Sequence, residues 1–247
     1  MKIITLTAFI IGLASGQAMA GGTIGVGYAG GISPYKNYDD KHMVMPWVSY
    51  ENDYVYLRGL SLGVKLYNQN SMEVSAYVAY DPQRFKSKDS NDGQLRRLDN
   101  RDAGFVAGGR LNIDNPVGIF SAALAGDISG NSGGFAGQVS YAKPFDFDPF
   151  NLTPEIGLYW GNEDYNDYYY GVSKKEAAVS GLKEYKADAA FSPFAALKAD
   201  LSLDDEKRIG IYAQAEVIFL APTIKDSPMV SRSTATGFTT GIRYSFR

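Results

Sequence analysis

An antiparallel β-barrel that crosses a membrane is the fold this sequence predicts, on three observations. Apolar residues alternate with polar or small ones in repeated stretches of about ten residues, the length a tilted membrane strand needs. From residue 54 onward long polar connections alternate with short ones, as they do where outer loops are long and inner turns tight. The 247 residues include 18 Tyr, 13 Phe and 27 Gly, rich in strand-forming aromatics and in the glycine that crowded walls use. A water-soluble sandwich shares the alternation but has no reason to sort its loops by length.

Residues 1–20 read as a leader outside the fold. Lys2 supplies a positive start, residues 3–14 an apolar run, and Ala18-Met19-Ala20 a cleavage site before Gly21, the three parts of a signal peptide. That run is too short for a membrane helix, and no later run approaches the length of one. The expectation is therefore a signal peptide over 1–20, then a barrel over 21–247 in the outer membrane of a Gram-negative cell. With no cysteine, neither a lipoprotein anchor nor a disulfide scaffold is possible. A formal charge of −3 offers no field for nucleic acid.

Eleven stretches carry the alternation. Residues 54–66 set Leu60, Leu62, Val64 and Leu66 on one face, and 72–80 set Val74, Val78 and Tyr80 against Glu73, Ser75 and Tyr77. Residues 103–113, 152–160, 191–203, 209–219 and 236–246 alternate in the same way; 22–31, 43–51, 117–127 and 135–145 do so more weakly. Single-chain bacterial barrels have an even number of strands, so the count fails by one. Parity counted back from the C-terminus puts the fault before residue 54. Ten strands is the favoured count, with 43–51 assigned to an outer loop; twelve is the alternative, with one strand overlooked.

Aromatics at stretch ends are expected to form girdles at the membrane interfaces: Trp47, Tyr50, Tyr54, Tyr56, Tyr67, Tyr80, Tyr141, Tyr159, Trp160 and Tyr244. The opposite faces carry Glu73, Arg110, Glu155, Lys198, Asp200, Glu216 and Arg243. In a narrow barrel these must pair across the lumen, because buried charge has to be compensated. Both signs together predict a filled interior rather than an open aqueous pore.

Catalytic chemistry finds little to work with. His42 is the one histidine; it lies in a polar loop and no serine has a nucleophile-elbow pattern around it, so we read it as a solvated loop residue. One His and no Cys exclude a His/Cys metal cluster. Asp89, Asp92, Asp99, Glu163, Asp164 and Asp167 could gather at the rim, but they lack a calcium-loop spacing, and solvated loop acids are the plainer reading. No catalytic, cofactor or metal residue is assigned.

Residues 163–189 form the most informative loop. Ser173 and Glu176 fit a capping box, which predicts a short helix through Val179 closed near Gly181. Tyr168, Tyr169, Tyr170, Gly171, Val172, Ser173, Glu176, Leu182 and Tyr185 form either a partner-binding element, tyrosine being an efficient contact residue, or a lid folded over the barrel mouth.

Strings spread over the mature chain resemble the MipA/OmpV family of outer-membrane proteins. They are Ser33-Pro34-Tyr35-Lys36 with Tyr38 and Asp39, then Pro46, Tyr50-Glu51 and Leu57-Arg58-Gly59. Phe85-Lys86, Lys88-Asp89-Ser90, Leu98-Asp99-Asn100-Arg101 and Ala125-Gly126-Asp127 follow. Tyr168-Tyr169-Tyr170-Gly171-Val172-Ser173, Glu176, Ser180-Gly181-Leu182, Tyr185 and Asp226-Ser227-Pro228-Met229-Val230 complete the match. The resemblance implies a non-enzymatic scaffold that joins a lytic transglycosylase to a bifunctional penicillin-binding protein in peptidoglycan growth. Other members are described as surface antigens or adhesins, and a narrow solute channel is the further alternative.

Overall fold

The computed structural model describes residues 21–39 and 42–246; the leader expected over 1–20 lies outside the described residues. The alternating stretches become strands β1 (Gly21–Ile32), β2 (Met43–Glu51), β3 (Val55–Arg58), β4 (Ser61–Gln69), β5 (Met72–Asp81), β6 (Gly104–Asn115) and β7 (Gly118–Asp127). β8 (Phe135–Ala142), β9 (Phe145–Phe147), β10 (Phe150–Gly161), β11 (Ala190–Ser202), β12 (Ile209–Phe219) and β13 (Thr234–Phe246) follow. Every pairing is antiparallel, and the ring closes where β1 meets β13, from Gly22↔Phe246 to Ile32↔Thr236. β9 prolongs β8 along β10, so the thirteen segments make a barrel of twelve staves. The closed ring leaves no sheet edge to be satisfied in lipid, apart from one interruption in the wall.

Twelve strands, not ten, is a correction with an identifiable cause. β2 is a full stave, and the fault lies inside 54–66, where β3 and β4 fold back on each other around Gly59-Leu60. Gly59 has φ +60 and takes the first central position of a two-residue hairpin turn, where glycine is favoured. The outward face shifts from odd to even residues at this turn, but Tyr54 and Tyr56 share the parity of Leu60, Leu62 and Val64 and hide the shift, so one long strand and a hairpin read alike. The next turn is as tight: Asn70 and Ser71 have φ 52 and 62, as a type I′ turn requires.

Outward positions carry exposed apolar side chains, among them Val44 (69 %), Leu62 (62 %) and Ile156 (61 %), the signature of a lipid-facing band. Girdle aromatics do face outwards at Tyr80 against Phe105, Tyr141 against Phe120 and Trp160 against Phe191. Three expected members do not. Tyr56 is fully buried inside, Tyr159 donates to Glu216 in the lumen, and Trp47 packs on Tyr212. Each sits on the inward parity of its strand, and position near a strand end does not decide which face a side chain takes.

Candidate functional site

Two regions concentrate polar and aromatic side chains: a cap built from the outer loops, and the charged lumen beneath it.

The cap grows from residues 162–189. Helix α1 (Glu163–Tyr170) starts at Asn162, whose side chain accepts from the Tyr165 N–H. Helix α2 (Lys174–Ser180) starts at the expected Ser173/Glu176 capping box and stops at Gly181, φ +76. Val172 and Tyr185 exchange backbone hydrogen bonds at 2.8 and 2.9 Å, which folds the loop back on itself. Tyr169, Tyr170, Val172 and Leu182 are buried and pack with Tyr35, Phe85, Leu95, Leu98 and Met229 from three other outer loops. The Tyr35 hydroxyl donates to the Tyr169 carbonyl at 3.1 Å, and Gln83 Nε2 to the Tyr170 hydroxyl at 3.0 Å. Tyr185 donates to the Thr223 carbonyl at 2.7 Å. Tyr168 and Tyr185 are half-buried and Ser173 is exposed.

Arg101 ties the cap together. Its Nη2 donates to Glu176 Oε1 at 2.8 Å and its Nε to the Tyr168 carbonyl at 2.6 Å, with both charged partners buried. Burial pushes the Glu176 carboxyl up. The hydrogen bonds from Ser173 and Arg101 outweigh it and hold the group below the usual carboxylate range. Burial pushes the Tyr170 phenol up to about 12 and raises Tyr165 further, with Asp81 adding to the effect. Tyr165 and Tyr170 therefore stay protonated at physiological pH.

Lumen charge is paired in tiers. Arg58 bridges Glu51 at 2.7 Å and Glu73 at 2.8 Å, with Lys65 on Glu51 at 2.7 Å. Lys198 holds Glu155 at 2.8 Å, and Arg243 Nε holds Asp200 at 2.6 Å. Arg110 lies 4.9 Å from the Tyr77 ring centroid. All seven inward charges read from the sequence therefore have a polar or ionic partner, Arg110's being Tyr77, which it touches by ring and hydrogen bond. Small residues make the room: Tyr212 reaches across the wall at Gly27 and Gly241, where a Cβ would collide with its hydroxyl. Between the charged tiers and the cap lies a cavity that opens to the outside and is lined by Trp47, Tyr77 and Arg110 among others.

The remaining candidates are used structurally. His42 stacks on Tyr28 at 5.6 Å on the outer face. Asp92 accepts from the Gln94 and Leu95 N–H groups, Asp167 from the Ala187 N–H, and Glu163 pairs with Lys186. Among the described residues no three His, Cys, Asp or Glu side chains gather as a metal site would need. Helix α1 was not expected; Asn162 followed by Glu163 and Asp164 was its signal, a cap with acids in the first turn.

A twelve-stave barrel with a lipid-facing band and a capped, charged lumen defines an integral outer-membrane protein. Comparison with known proteins narrows the class. The family described as "MltA-interacting protein MipA" matches residues 24–246, and the chain belongs to that family. It is 34% identical to the MltA-interacting protein of Escherichia coli strain K12, over 100% of this chain and 99% of that one. It is 33% identical to the putative outer membrane protein YiaT of the same strain, over 91% and 90%. Among solved structures, an outer membrane channel from Pseudomonas putida F1 overlays at a TM-score of 0.48 with 10% identity, over 95% and 98% of the two chains. The two Escherichia coli relatives are named as an interacting protein and an outer membrane protein, not as enzymes.

Proposed function

We propose that this barrel is a membrane-anchored scaffold for peptidoglycan enzymes, with a lytic transglycosylase as its first partner and a penicillin-binding protein as its second. The observation that carries the reading is the full-length 34% identity to a protein named for interaction with MltA. Geometry supports a division of labour. The motif-rich loop 162–189 is spent on internal packing of the cap, which favours a lid over a partner-binding element. The partner face then falls on the opposite rim, where the enzymes of the cell wall work.

That rim carries turns at 52–54, 70–71, 116–117, 148–149 and 203–208. Asp148 and Lys207 link two of them at 2.8 Å, beside exposed Glu206 and Arg208. Charged rims of this kind set partner choice and encounter rate. The test is retention of a purified lytic transglycosylase and a penicillin-binding protein on the immobilised barrel. Retention lost on replacing Glu206, Lys207 and Arg208 together by Ser, but kept when Lys174 and Lys175 on the cap are replaced, supports the reading. Retention of neither enzyme overturns it.

A further inference from the structure

One part of the wall is missing. β3 has four residues and pairs with β2 only from Ser49↔Arg58 to Glu51↔Tyr56. Its last rung upward is the Gly59 N–H on the Val48 carbonyl, and across the hairpin the Tyr80 N–H on the Leu60 carbonyl. Above these rungs β2 pairs only with β1, and β5 only with β6. Higher still the outer loops meet, where Tyr38 bridges Ser90. The result is a window, with the hairpin turn as its sill.

Free backbone donors facing lipid are costly, and the sequence removes them at this window. Even-numbered residues of β2 direct their backbone groups toward β3, because Val48 bonds there. The next such position above Val48 is Pro46. On the other jamb Tyr80 bonds to Leu60, and the next position of that parity is Pro82. Proline has no N–H to leave unsatisfied, which is why it is found on strand edges. Both jambs therefore carry one.

The window opens into the cavity above the charged tiers. Lipid-facing Pro46, Val48 and Leu60 line it together with lumen-facing Trp47, Tyr77 and Arg110. Its lining is mostly apolar with few polar groups, as a site for an amphipathic ligand would be. Arg110 differs from the other lumen cations. Arg58, Lys65, Lys198 and Arg243 each have a carboxylate within ion-pair distance, whereas Arg110 has only Tyr77, by ring contact and side-chain hydrogen bond, and no carboxylate among the described residues. Arg110 is half-buried at the cavity wall, and a guanidinium without a carboxylate partner can grip an anion with two hydrogen bonds.

We propose that a long-chain carboxylate enters from the outer leaflet through this window, its chain passing between Pro46 and Leu60 and its head seated on Arg110. The chain's two tryptophans give a direct probe, since Trp47 lines the cavity and Trp160 faces outwards. The experiment uses the Trp160→Phe protein in phosphatidylcholine nanodiscs, titrated with a brominated hexadecanoic acid and with the matching brominated alcohol. Saturable quenching of Trp47 by the acid is expected. Arg110→Gln should weaken the acid about tenfold, the cost of one charge-assisted pair, and leave the alcohol unchanged. Lengthening the hairpin by two residues on each side of Gly59-Leu60 should abolish saturation for both ligands, with folding checked by heat-modifiable gel mobility. Quenching that rises linearly, or acid binding that is indifferent to Arg110→Gln, overturns the proposal whether or not the barrel also binds cell-wall enzymes.

Discussion

The wall from β10 to β13 and the wall from β2 to β5 are built from the same alternating pattern but are closed differently. β10 and β11 share a continuous register from Phe150↔Leu201 to Gly161↔Ala190. β2 and β3 share three pairs, and β3 and β4 four. In the long wall the backbone ladder satisfies every stave, so side chains need only suit lipid on one face and lumen on the other. In the short wall the ladder runs out, and stability has to come from elsewhere: the Glu51–Arg58–Glu73–Lys65 cluster inside and prolines at the free edges. Both halves carry lumen charge, but the short wall gathers its own into one cluster of four, whereas the long wall spreads it over separate pairs.

Mutations can break that contrast. Arg58→Ala should have the largest effect, about 3–5 kcal/mol, because it leaves Glu51 and Glu73 buried with only Lys65 to compensate them. Arg243→Ala in the long wall should cost clearly less, since Asp200 is a third exposed; urea midpoints of the two variants in one detergent check the order. Glu176→Gln should loosen the cap by about 1–3 kcal/mol, the value of hydrogen bonds to a charged group. Because the folded-state Glu176 carboxyl is held below its usual range, its contribution is full above the unfolded value. It is lost as pH falls through the folded one. Limited proteolysis of the cap should accelerate on acidification in the parent, and this acceleration should shrink in Glu176→Gln.

Gly59→Val should cost about 1–2 kcal/mol, the penalty for a β-carbon in the left-handed region, seen as a lower midpoint. His42→Ala should be smallest, about 0.5–1.5 kcal/mol for one aromatic stack, with partner retention unchanged.

Much of this architecture was legible because lipid imposes a simple rule. Every second residue must be apolar, so β5, β6, β12 and β13 stand out from alternation alone, and Ser173 with Glu176 announced α2. Topology hid the rest. The hairpin in 54–66 shifts phase at its turn, but Tyr54 and Tyr56 lie on the parity of Leu60, Leu62 and Val64 and mask it, so Gly59 is the clearer local signal. Trp47, Tyr56 and Tyr159 suit a girdle by chemistry, and only the parity of their strands turns them inwards. The window depends on where β2 and β5 stop having neighbours, which no local stretch records; Pro46 and Pro82 are its trace, readable once the register is known. The cap is nonlocal as well, since four loops contribute to its core.

A nitroxide scan of residues 54–66 tests the twelve-stave wall most directly, and the cysteine-free chain makes single labels simple to place. In nanodiscs, high oxygen accessibility should fall on Val55 and Leu57, then shift phase at Gly59 to Leu62 and Val64. A single alternation running unbroken through the whole stretch would mean one long strand, no hairpin and no window.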